Sequence, residues 1–285
     1  MIINITPLTD PQRGPSSYRL AWLAAGADGR PLGTAFLRVP AVGDAAEGSL
    51  HVHPAEQRAG VGTRLLESVT EAAAGLGLRG VLGEAVREGS AGERFCVARG
   101  LRRVLALTYT RLELDGAQPV ADPVPGYRLT HWAGTVPDEL AETYARSKRA
   151  MDDMPMDDAG YVPQPWDVAR LHFVADAVAR RGDVLLTVAA VAADGEIAGF
   201  TELVVQGDGT GDGQHYGTGV LPGHRGHGLA RWMKADLIVR ARARFPRLAG
   251  LLADTADSNA AMRRINDSFG YRPTHRSALY RLDLG

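Results

Sequence analysis

The sequence has one cysteine and almost no excess of charge of either sign. A single cysteine, Cys96, among 285 residues excludes an intrachain disulfide and any multi-cysteine zinc or iron–sulfur site, and it is typical of a reducing compartment. A formal net charge of -1 gives no overall attraction for nucleic acid or for an anionic membrane. We therefore expect neither as a partner.

Long apolar runs are missing as well. The longest, VLLTVAAVAA at residues 184–193, is too short to cross a bilayer as a helix. The segment MIINITPLTD lacks the basic stretch and apolar core of a signal peptide. With 45% hydrophobic and 23% charged residues, the composition is that of a globular protein with one large domain or two moderate ones. We expect the protein in the cytoplasm.

The two halves of the chain repeat one order of features. Residues 115–126 gather three prolines and two glycines, which is the composition of a linker. On each side, the pattern predicts strands, a helix opened by glycines, a strand, a second helix and a final strand. This repetition predicts two copies of one α/β unit. We place the first domain at residues 1–116, the linker at 117–126 and the second domain at 127–285.

The repeat is clearest at two glycine turns. The N-terminal glycine turn is QRAGVG at residues 57–62, and the C-terminal glycine turn is RGHGLA at residues 225–230. Each follows a strand that ends in Val-x-Pro and opens a helix. Glycine at a helix start costs about 1 kcal/mol relative to alanine, so its presence indicates close approach of a ligand to the backbone. Helix starts offer unpaired N–H groups and the positive end of the helix dipole to phosphate.

Other nucleotide and metal motifs fit poorly. A dinucleotide-binding fingerprint needs a third glycine that both turns lack. A P-loop needs Gly-Lys-Ser/Thr, and neither lysine of the chain, Lys148 or Lys234, follows a glycine. His224 and His227 are three residues apart, but no acidic or thiol partner stands at a familiar spacing. We expect no metal site.

With these turns in matching contexts, the sequence resembles the GCN5-related N-acetyltransferases, the GNAT superfamily, in a tandem form that covers nearly the whole chain. The resemblance implies an α/β (α+β) fold in which each domain has a mixed, mostly antiparallel central sheet flanked by helices. It also implies acetyl-CoA as cosubstrate, with its pyrophosphate at the turns and its acyl-pantetheine arm along the strand that ends near Val220. A backbone N–H of that strand would stabilise the oxyanion. The implied cofactor-binding residues are Val52, Gln57, Arg58, Ala59, Gly60, Val61, Gly62, Thr63, Gly219, Val220, Leu221, Arg225, Gly226, His227, Gly228, Leu229, Ala230 and Asn259, the last also being a possible helix cap.

The two halves differ in one region that bears on catalysis. In the second half, the pattern predicts helices over residues 138–153 and 166–182, between its first two strands. The first half has too few residues between NITPL and YRLAW for such helices. In the family these helices build much of the acceptor site. We therefore expect the second domain to be catalytic, and the first to bind CoA or to serve as a structural partner.

Amine acetylation needs a base, an oxyanion donor and a proton for the leaving thiolate. Glu202 is the first candidate base because burial in a cleft would raise its pKa, although strand alternation is also compatible with a solvent-facing position. Asp254, His215 and water-mediated deprotonation are alternatives. Many relatives have a tyrosine where this chain has Asn266. An asparagine can donate a hydrogen bond to the sulfur but is not an ordinary proton donor.

The acceptor has one candidate recognition segment, MDDMPMDDAG at residues 151–160. Its carboxylates, Asp152, Asp153, Asp157 and Asp158, would attract a cationic amine, or they are ordinary solvated loop residues.

The resemblance implies an acetyl-CoA-dependent N-acetyltransferase acting on a primary amine of a small molecule. Within that class, mycothiol-synthase-like and aminoglycoside-type enzymes are alternatives, and a protein or peptide acceptor is a further option. From a different class, a non-catalytic CoA-binding or scaffolding module also fits. The sequence predicts no particular oligomeric state.

Overall fold

The computed structural model describes residues 2–9, 17–116, 119–160 and 162–285, which contain six helices and thirteen strands. By contacts, the chain divides into two units. Unit 1 comprises Met1–Ala106, Met156–Gln164 and Ser277–Gly285, and unit 2 comprises Leu107–Pro155 and Pro165–Arg276. The units therefore interleave along the chain, whereas the sequence repeat runs continuously on each side of the linker. Within the linker, residues 119–126 form no helix or strand.

Unit 1 is built on a mixed sheet. Its elements are β1 (Ile3–Leu8), β2 (Ser17–Gly26), β3 (Pro31–Pro40), β4 (Ala45–Val52), α1 (Val61–Gly75), β5 (Gly80–Gly83), β6 (Val86–Arg87) and α2 (Ala91–Ala98). Strands β1 to β4 are antiparallel neighbours, and β4 pairs with β5 in parallel. The C-terminal part of the last strand, β13 (Arg272–Asp283), pairs with β5 and β6.

Helix α1 is amphipathic, and its apolar face fixes the position of the N-terminal glycine turn. Val61, Leu65, Val69 and Ala73 recur every fourth residue, and all four are buried in one cluster with the side chains of β2, β3 and β4. Because Val61 lies within the glycine turn, this packing holds the start of α1 close to the end of β4.

Unit 2 has the same architecture with two more helices. Strand β7 (Arg102–Glu113) enters it at Leu107, followed by β8 (Tyr127–Ala133), α3 (Asp138–Ser147), α4 (Val168–Arg180), β9 (Val184–Ala192), β10 (Ile197–Val205), β11 (Gly211–Val220), α5 (Leu229–Arg244), β12 (Leu248–Ala256) and α6 (Ala260–Ser268). The strand order is β7-β12-β11-β10-β9-β8, and only β11 and β12 are parallel. The predicted α/β fold class, with mixed and mostly antiparallel sheets flanked by helices, is confirmed.

Strand β10 is buried on both faces. Because its side chains alternate between the two faces, each face packs against different helices. Leu203 and Val205 pack in one cluster with α5, whereas Phe200 packs in another with α3 and α4. Glu202 shares the face of Phe200 and therefore points toward α3 and α4. The α5 face and the α3/α4 face of unit 2 carry different parts of the candidate site.

Truncation of the α5 core is expected to destabilise the protein strongly. Leu237 is 1% exposed in the main cluster of unit 2, so Leu237→Ala should lower the free energy of unfolding by about 2 to 5 kcal/mol. Val239, two residues along the same helix, is 51% exposed, so Val239→Ala should change it by no more than about 0.5 kcal/mol. Urea denaturation followed by circular dichroism compares them, and equal losses would contradict the packing of α5.

Candidate active site

The two glycine turns have the same backbone conformation. Arg58 and Gly60 in the N-terminal turn have φ angles of 67° and 86°, and Gly226 and Gly228 in the C-terminal turn have φ angles of 83° and 88°. This left-handed region favours glycine, and a residue such as Arg58 adopts it at a cost of roughly 1 to 2 kcal/mol. Both turns keep this unfavourable conformation. We attribute it to the strand before each turn and the helix after it, which both turns share.

Both turns lead into a helix start that no side chain caps. Gly60 and Gly228 are the N-caps of α1 and α5, and glycine has no side chain to accept from the first N–H groups. Those groups have no partner within a helix, and the positive end of the dipole lies there. A Cβ added to Gly226 or Gly228 would meet none of the described atoms within 4 Å. The C-terminal glycine turn is therefore an open cradle that fits a phosphate group.

Next to the cradle, the parallel strands of unit 2 separate. Strands β11 and β12 pair only as far as Gln214 and Leu252, and no further pairs between them occur in the described part of the chain. We call the gap beyond this point the fork and define it by residues 215–220 of β11 and 253–256 of β12. In unit 1, β4 likewise pairs with β5 only through its first four residues. The fork is therefore a gap between β11 and β12 that lies next to the cradle.

Backbone donors of β11 point into the fork. The N–H of Leu221 donates to the carbonyl of Ala198 at 2.8 Å, which makes these residues a hydrogen-bonded antiparallel pair. Bonded and non-bonded pairs alternate in such a ladder, so Val220 and Thr218 direct their N–H groups away from β10 and toward the fork. The N–H of Leu221 is thus already occupied, whereas Val220 offers its own to a ligand.

Arg225 joins the cradle to the loop after α3. Its guanidinium donates to both carboxylate oxygens of Asp153, at 2.6 and 2.8 Å, and to the carbonyl of Val220 at 2.8 Å. These hydrogen bonds raise the pKa of Arg225 and lower the pKa of Asp153. The pair is substantially exposed, so its contribution to stability is small. Its effect is to fix the end of β11 against that loop.

Three titratable side chains are buried together on the α5 face beside the fork. Nε2 of His215 lies 2.7 Å from the hydroxyl of Tyr271, and Nζ of Lys234 lies 5.3 Å from the centre of the Tyr271 ring. Burial lowers the pKa of Lys234 to about 7. Burial, together with the charge of Lys234, holds the pKa of His215 well below its ordinary value. Burial raises the pKa of Tyr271, so the cluster keeps a neutral imidazole and a neutral phenol.

Replacing Lys234 with methionine is expected to remove a pH dependence of stability. The unfolded lysine keeps its proton up to its ordinary pKa of 10.5, whereas the folded one releases it near 7, so the unfolded chain binds more protons between these values. The free energy of unfolding therefore rises with pH, by about 2 kcal/mol between about pH 7 and about pH 9. Urea denaturation at both pH values should show this rise in the wild type only. Equal rises in both proteins would contradict it.

Asn266 is buried in the same polar region. Its Nδ2 donates to Oγ1 of Thr255 in the β12 arm of the fork, at 3.3 Å. Its Oδ1, and Nδ1 of His215, have no hydrogen-bond partner among the described residues. Buried polar atoms without partners are rare in proteins. Two such atoms near the fork fit a ligand that brings its own amide groups.

Glu202 is buried on the α3/α4 face, so the solvent-facing alternative is wrong. Its Oε1 accepts from the hydroxyl of Tyr144 at 2.5 Å and from Nζ of Lys148 at 2.6 Å. Lys148 is 3% exposed, and its ammonium lies 4.2 to 4.9 Å from the ring centres of Tyr144, Trp166 and Phe200. Burial lowers the pKa of Lys148, against the effect of Glu202. The second oxygen of Glu202 accepts no hydrogen bond from the described residues and lies near Gly217 of β11.

A small cavity adjoins Glu202 under α3 and α4. It has room for about one water molecule, roughly 10 Å³, and most of its lining is apolar or aromatic, including Trp132, Tyr144, Trp166 and Leu171. The two helices that the sequence predicted for this region, α3 and α4, form its wall. The α3/α4 face of unit 2 thus places one carboxylate, Glu202, beside a mostly apolar cavity.

A second carboxylate, Asp254, lies on the other side of β11. It belongs to the β12 arm of the fork, and its Oδ1 accepts from Nε2 of Gln214 at 3.3 Å. Asp254 is exposed, and partial desolvation by the surrounding strands raises its pKa. Since Gln214 is in register with Val204 and therefore shares the face of Glu202, Asp254 and Glu202 flank β11 on the same face.

The acidic segment is shared between the two units. Asp152 and Asp153 belong to unit 2, where Asp153 is paired with Arg225. Asp157 and Asp158 belong to unit 1, where Asp158 lies 4.0 Å from the guanidinium of Arg102. The four carboxylates are thus divided between the two units.

The remaining predicted residues lie at element ends. Asn259 is the N-cap of α6, and its Oδ1 accepts from the N–H of Met262 at 3.1 Å, as the capping alternative expects. Val52 ends β4, and residues 57–63 form the N-terminal glycine turn and the start of α1. Nδ1 of His224 lies 2.9 Å from the hydroxyl of Tyr127. Within the described ranges, no group of three or more histidine, cysteine or acidic residues is arranged to hold a metal ion.

Comparison with known proteins identifies the family. The acetyltransferase (GNAT) family model matches residues 7–101 and 143–271. The chain therefore belongs to the GNAT family and is a tandem GNAT acyltransferase. That family uses acetyl-CoA. No curated protein matches the chain.

Solved structures show the same fold. A tandem GNAT protein from the clavulanic acid biosynthesis pathway is 24% identical, with a TM-score of 0.77 over 96% of this chain and 85% of that one. A GCN5-related N-acetyltransferase from Sphaerobacter thermophilus is 20% identical, with a TM-score of 0.65 over 93% and 80%. A glucosamine N-acetyltransferase region of a fungal β-N-acetylglucosaminidase is 14% identical, with a TM-score of 0.65 over 94% and 33%. None of the helices in the described ranges is long and apolar enough to cross a membrane.

Proposed function

We propose that the protein is an acetyl-CoA-dependent N-acetyltransferase that acts on a primary amine of a small molecule, with the chemistry in the second repeat, residues 127–285. The observation that carries this proposal is that unit 2 contains the cradle, the fork and two carboxylates, Glu202 and Asp254. When bound, acetyl-CoA supplies an activated acetyl thioester. Every other requirement of the reaction has a candidate group in this unit.

The cradle and the fork would hold the cosubstrate. The N–H groups of residues 226–230 at the start of α5 are suited to the pyrophosphate because they are uncapped and lie at the positive end of the dipole. The N–H of Val220, which points into the fork, is suited to an amide of the pantetheine arm, and that of Thr218, deeper in the fork, is suited to the oxyanion that develops on the acetyl group. The unpartnered atoms of Asn266 and His215 are suited to the amides of the pantetheine arm.

The two carboxylates of unit 2, Glu202 and Asp254, would have different roles toward the acceptor amine. Glu202 accepts hydrogen bonds from Tyr144 and Lys148 through Oε1, so it is suited to hold the acceptor ammonium through its second oxygen. Asp254 has a raised pKa, which suits it better to accept a proton near neutral pH. Asp152 and Asp153 would contribute charge at the entrance, with Asp153 held by Arg225.

The first repeat, residues 1–116, would be non-catalytic. Its described residues include no helices between β1 and β2 comparable to α3 and α4, so it lacks an enclosing wall on that side. Its turn retains both left-handed positions and an uncapped helix start. It therefore has the features of a CoA-binding turn without those of an acceptor site.

One observation favours a different class of function. Asn266, in place of a tyrosine, is buried and hydrogen-bonded to Thr255, and it has no acidic proton to give. A protein that binds CoA as a scaffold needs no such proton. This scaffold is the second candidate function.

A panel of small primary amines distinguishes the two candidates. It should include aminoglycosides and glucosamine, because the fungal region of similar fold is named for glucosamine. Release of the CoA thiol and the mass of the product are measured with wild-type protein. We expect an acetylated amine. Binding of acetyl-CoA without a product from any amine would favour the scaffold.

A further inference from the structure

Lys234 is a buried cation for which the described part of the chain supplies no anion. It is 1% exposed, and burial alone accounts for its lowered pKa. The titratable groups that face it are His215 from β11 and Tyr271 from the start of the final strand. Burial of an unpaired ammonium is unfavourable, and a lysine kept in such a place is a candidate functional group.

The cluster lies where the fork begins. His215 directly follows Gln214, the last residue of β11 that pairs with β12. The hydroxyl of Tyr271 holds the imidazole of His215 at 2.7 Å, and the charge of Lys234 acts on the same ring. If the acyl-pantetheine arm lies along residues 215–220, its thioester end comes to this cluster.

The reaction gains from a positive charge or a proton at this position. The thiolate of CoA departs more readily when it is protonated or paired with a cation. Asn266, which donates to Thr255 in the β12 arm of the fork, is not an acid. Among the described residues, Lys234 is the only lysine whose ammonium lies on the α5 face near the fork.

We propose that Lys234 pairs with the departing thiolate of CoA and gives it a proton, with His215 and Tyr271 positioning the ammonium. This inference rests on the proposed function. As the C–N bond to the acceptor forms, the C–S bond breaks and its electron pair goes to sulfur. The proton on Nζ moves to that sulfur and leaves a neutral amine. The proton released by the acceptor restores the ammonium.

The titration of bound CoA tests this proposal without turnover. The thiolate absorbs more ultraviolet light than the thiol, so the pKa of the thiol is read in the protein–CoA complex. The thiol and Lys234 titrate as a coupled pair: the ammonium should lower the pKa of the thiol by roughly 1 to 3 units relative to free CoA, and the thiolate should raise the pKa of Lys234 above its value in the free protein. In Lys234→Met and Lys234→Gln, most of this lowering should be lost. Arg244→Met, which removes an exposed positive charge from the last turn of the same helix, should keep it.

The outcomes separate the two proposals. A thiol pKa lowered in the wild type and in Arg244→Met, but not in the folded Lys234 variants, supports the role of Lys234. Wild-type protein that binds CoA with the thiol pKa of free CoA overturns this role and leaves the proposed function standing. The role is also overturned if the Lys234 variants keep the lowered pKa. Failure of the wild type to bind CoA overturns the proposed function and the role of Lys234 together.

Discussion

Gly228→Glu is expected to lower kcat/KM for acetyl-CoA at least about 100-fold, which corresponds to about 2.7 kcal/mol of lost stabilisation. A side chain at this position would project into open space at the start of α5, since a Cβ there meets no described atom within 4 Å. A carboxylate in the cradle would occupy the space for the pyrophosphate and repel its charge. The rate of CoA release at varied acetyl-CoA concentration measures the loss.

The matched control is Gly228→Ala. Alanine shares the strain of a residue at a φ of 88°, but it adds neither charge nor length. We expect this variant to lose no more than about tenfold, because its main cost falls on folding. If alanine and glutamate reduce kcat/KM equally, the shape of the turn matters and phosphate binding in the cradle is contradicted.

Glu202→Gln is expected to destabilise unit 2 by about 3 to 5 kcal/mol. The change leaves the ammonium of Lys148 buried without its carboxylate, and loss of one partner of a buried pair is strongly unfavourable. Under the proposed function, it also weakens binding of the acceptor ammonium. Urea denaturation measures the first effect, and the KM for an amine found in the panel measures the second.

A double variant separates these two effects. Lys148→Met combined with Glu202→Gln removes both charges, so most of the lost stability should return. The KM for the amine should stay high because the carboxylate is still missing. Wild-type stability in the single variant Glu202→Gln would contradict the buried pair, and a restored KM in the double variant would contradict the role of Glu202.

The fold class and the two glycine turns could be predicted from the sequence because both depend on local patterns. Four apolar residues spaced four apart mark the face of α1, and glycine marks backbone positions that other residues adopt only with strain. In the structure, Gly60, Gly226 and Gly228 have left-handed φ angles. Local signals of this kind do not need a partner elsewhere in the chain.

The polar contacts of the site could not be predicted in this way. Glu202 pairs with Lys148, and Lys234 lies by Tyr271, over separations of 54 and 37 residues that no local pattern reports. The interleaving of the units along the chain could not be predicted for the same reason. Which strands pair depends on the folded sheet and is not encoded in a local pattern. One signal was available: the only two lysines of the chain both lie in predicted helices, and Lys234 sits beside apolar Met233.

The most direct test of the acetyl-CoA site is a calorimetric titration of acetyl-CoA into the wild type, Gly228→Glu and Gly60→Glu. We predict that the wild type binds acetyl-CoA and that Gly228→Glu loses one site per chain. Any binding that remains in Gly228→Glu then belongs to the N-terminal glycine turn, and it should disappear when Gly60→Glu is added. A wild type that binds no acetyl-CoA, or a Gly228→Glu variant that binds as many equivalents with the same affinity, would contradict the assignment of the cradle.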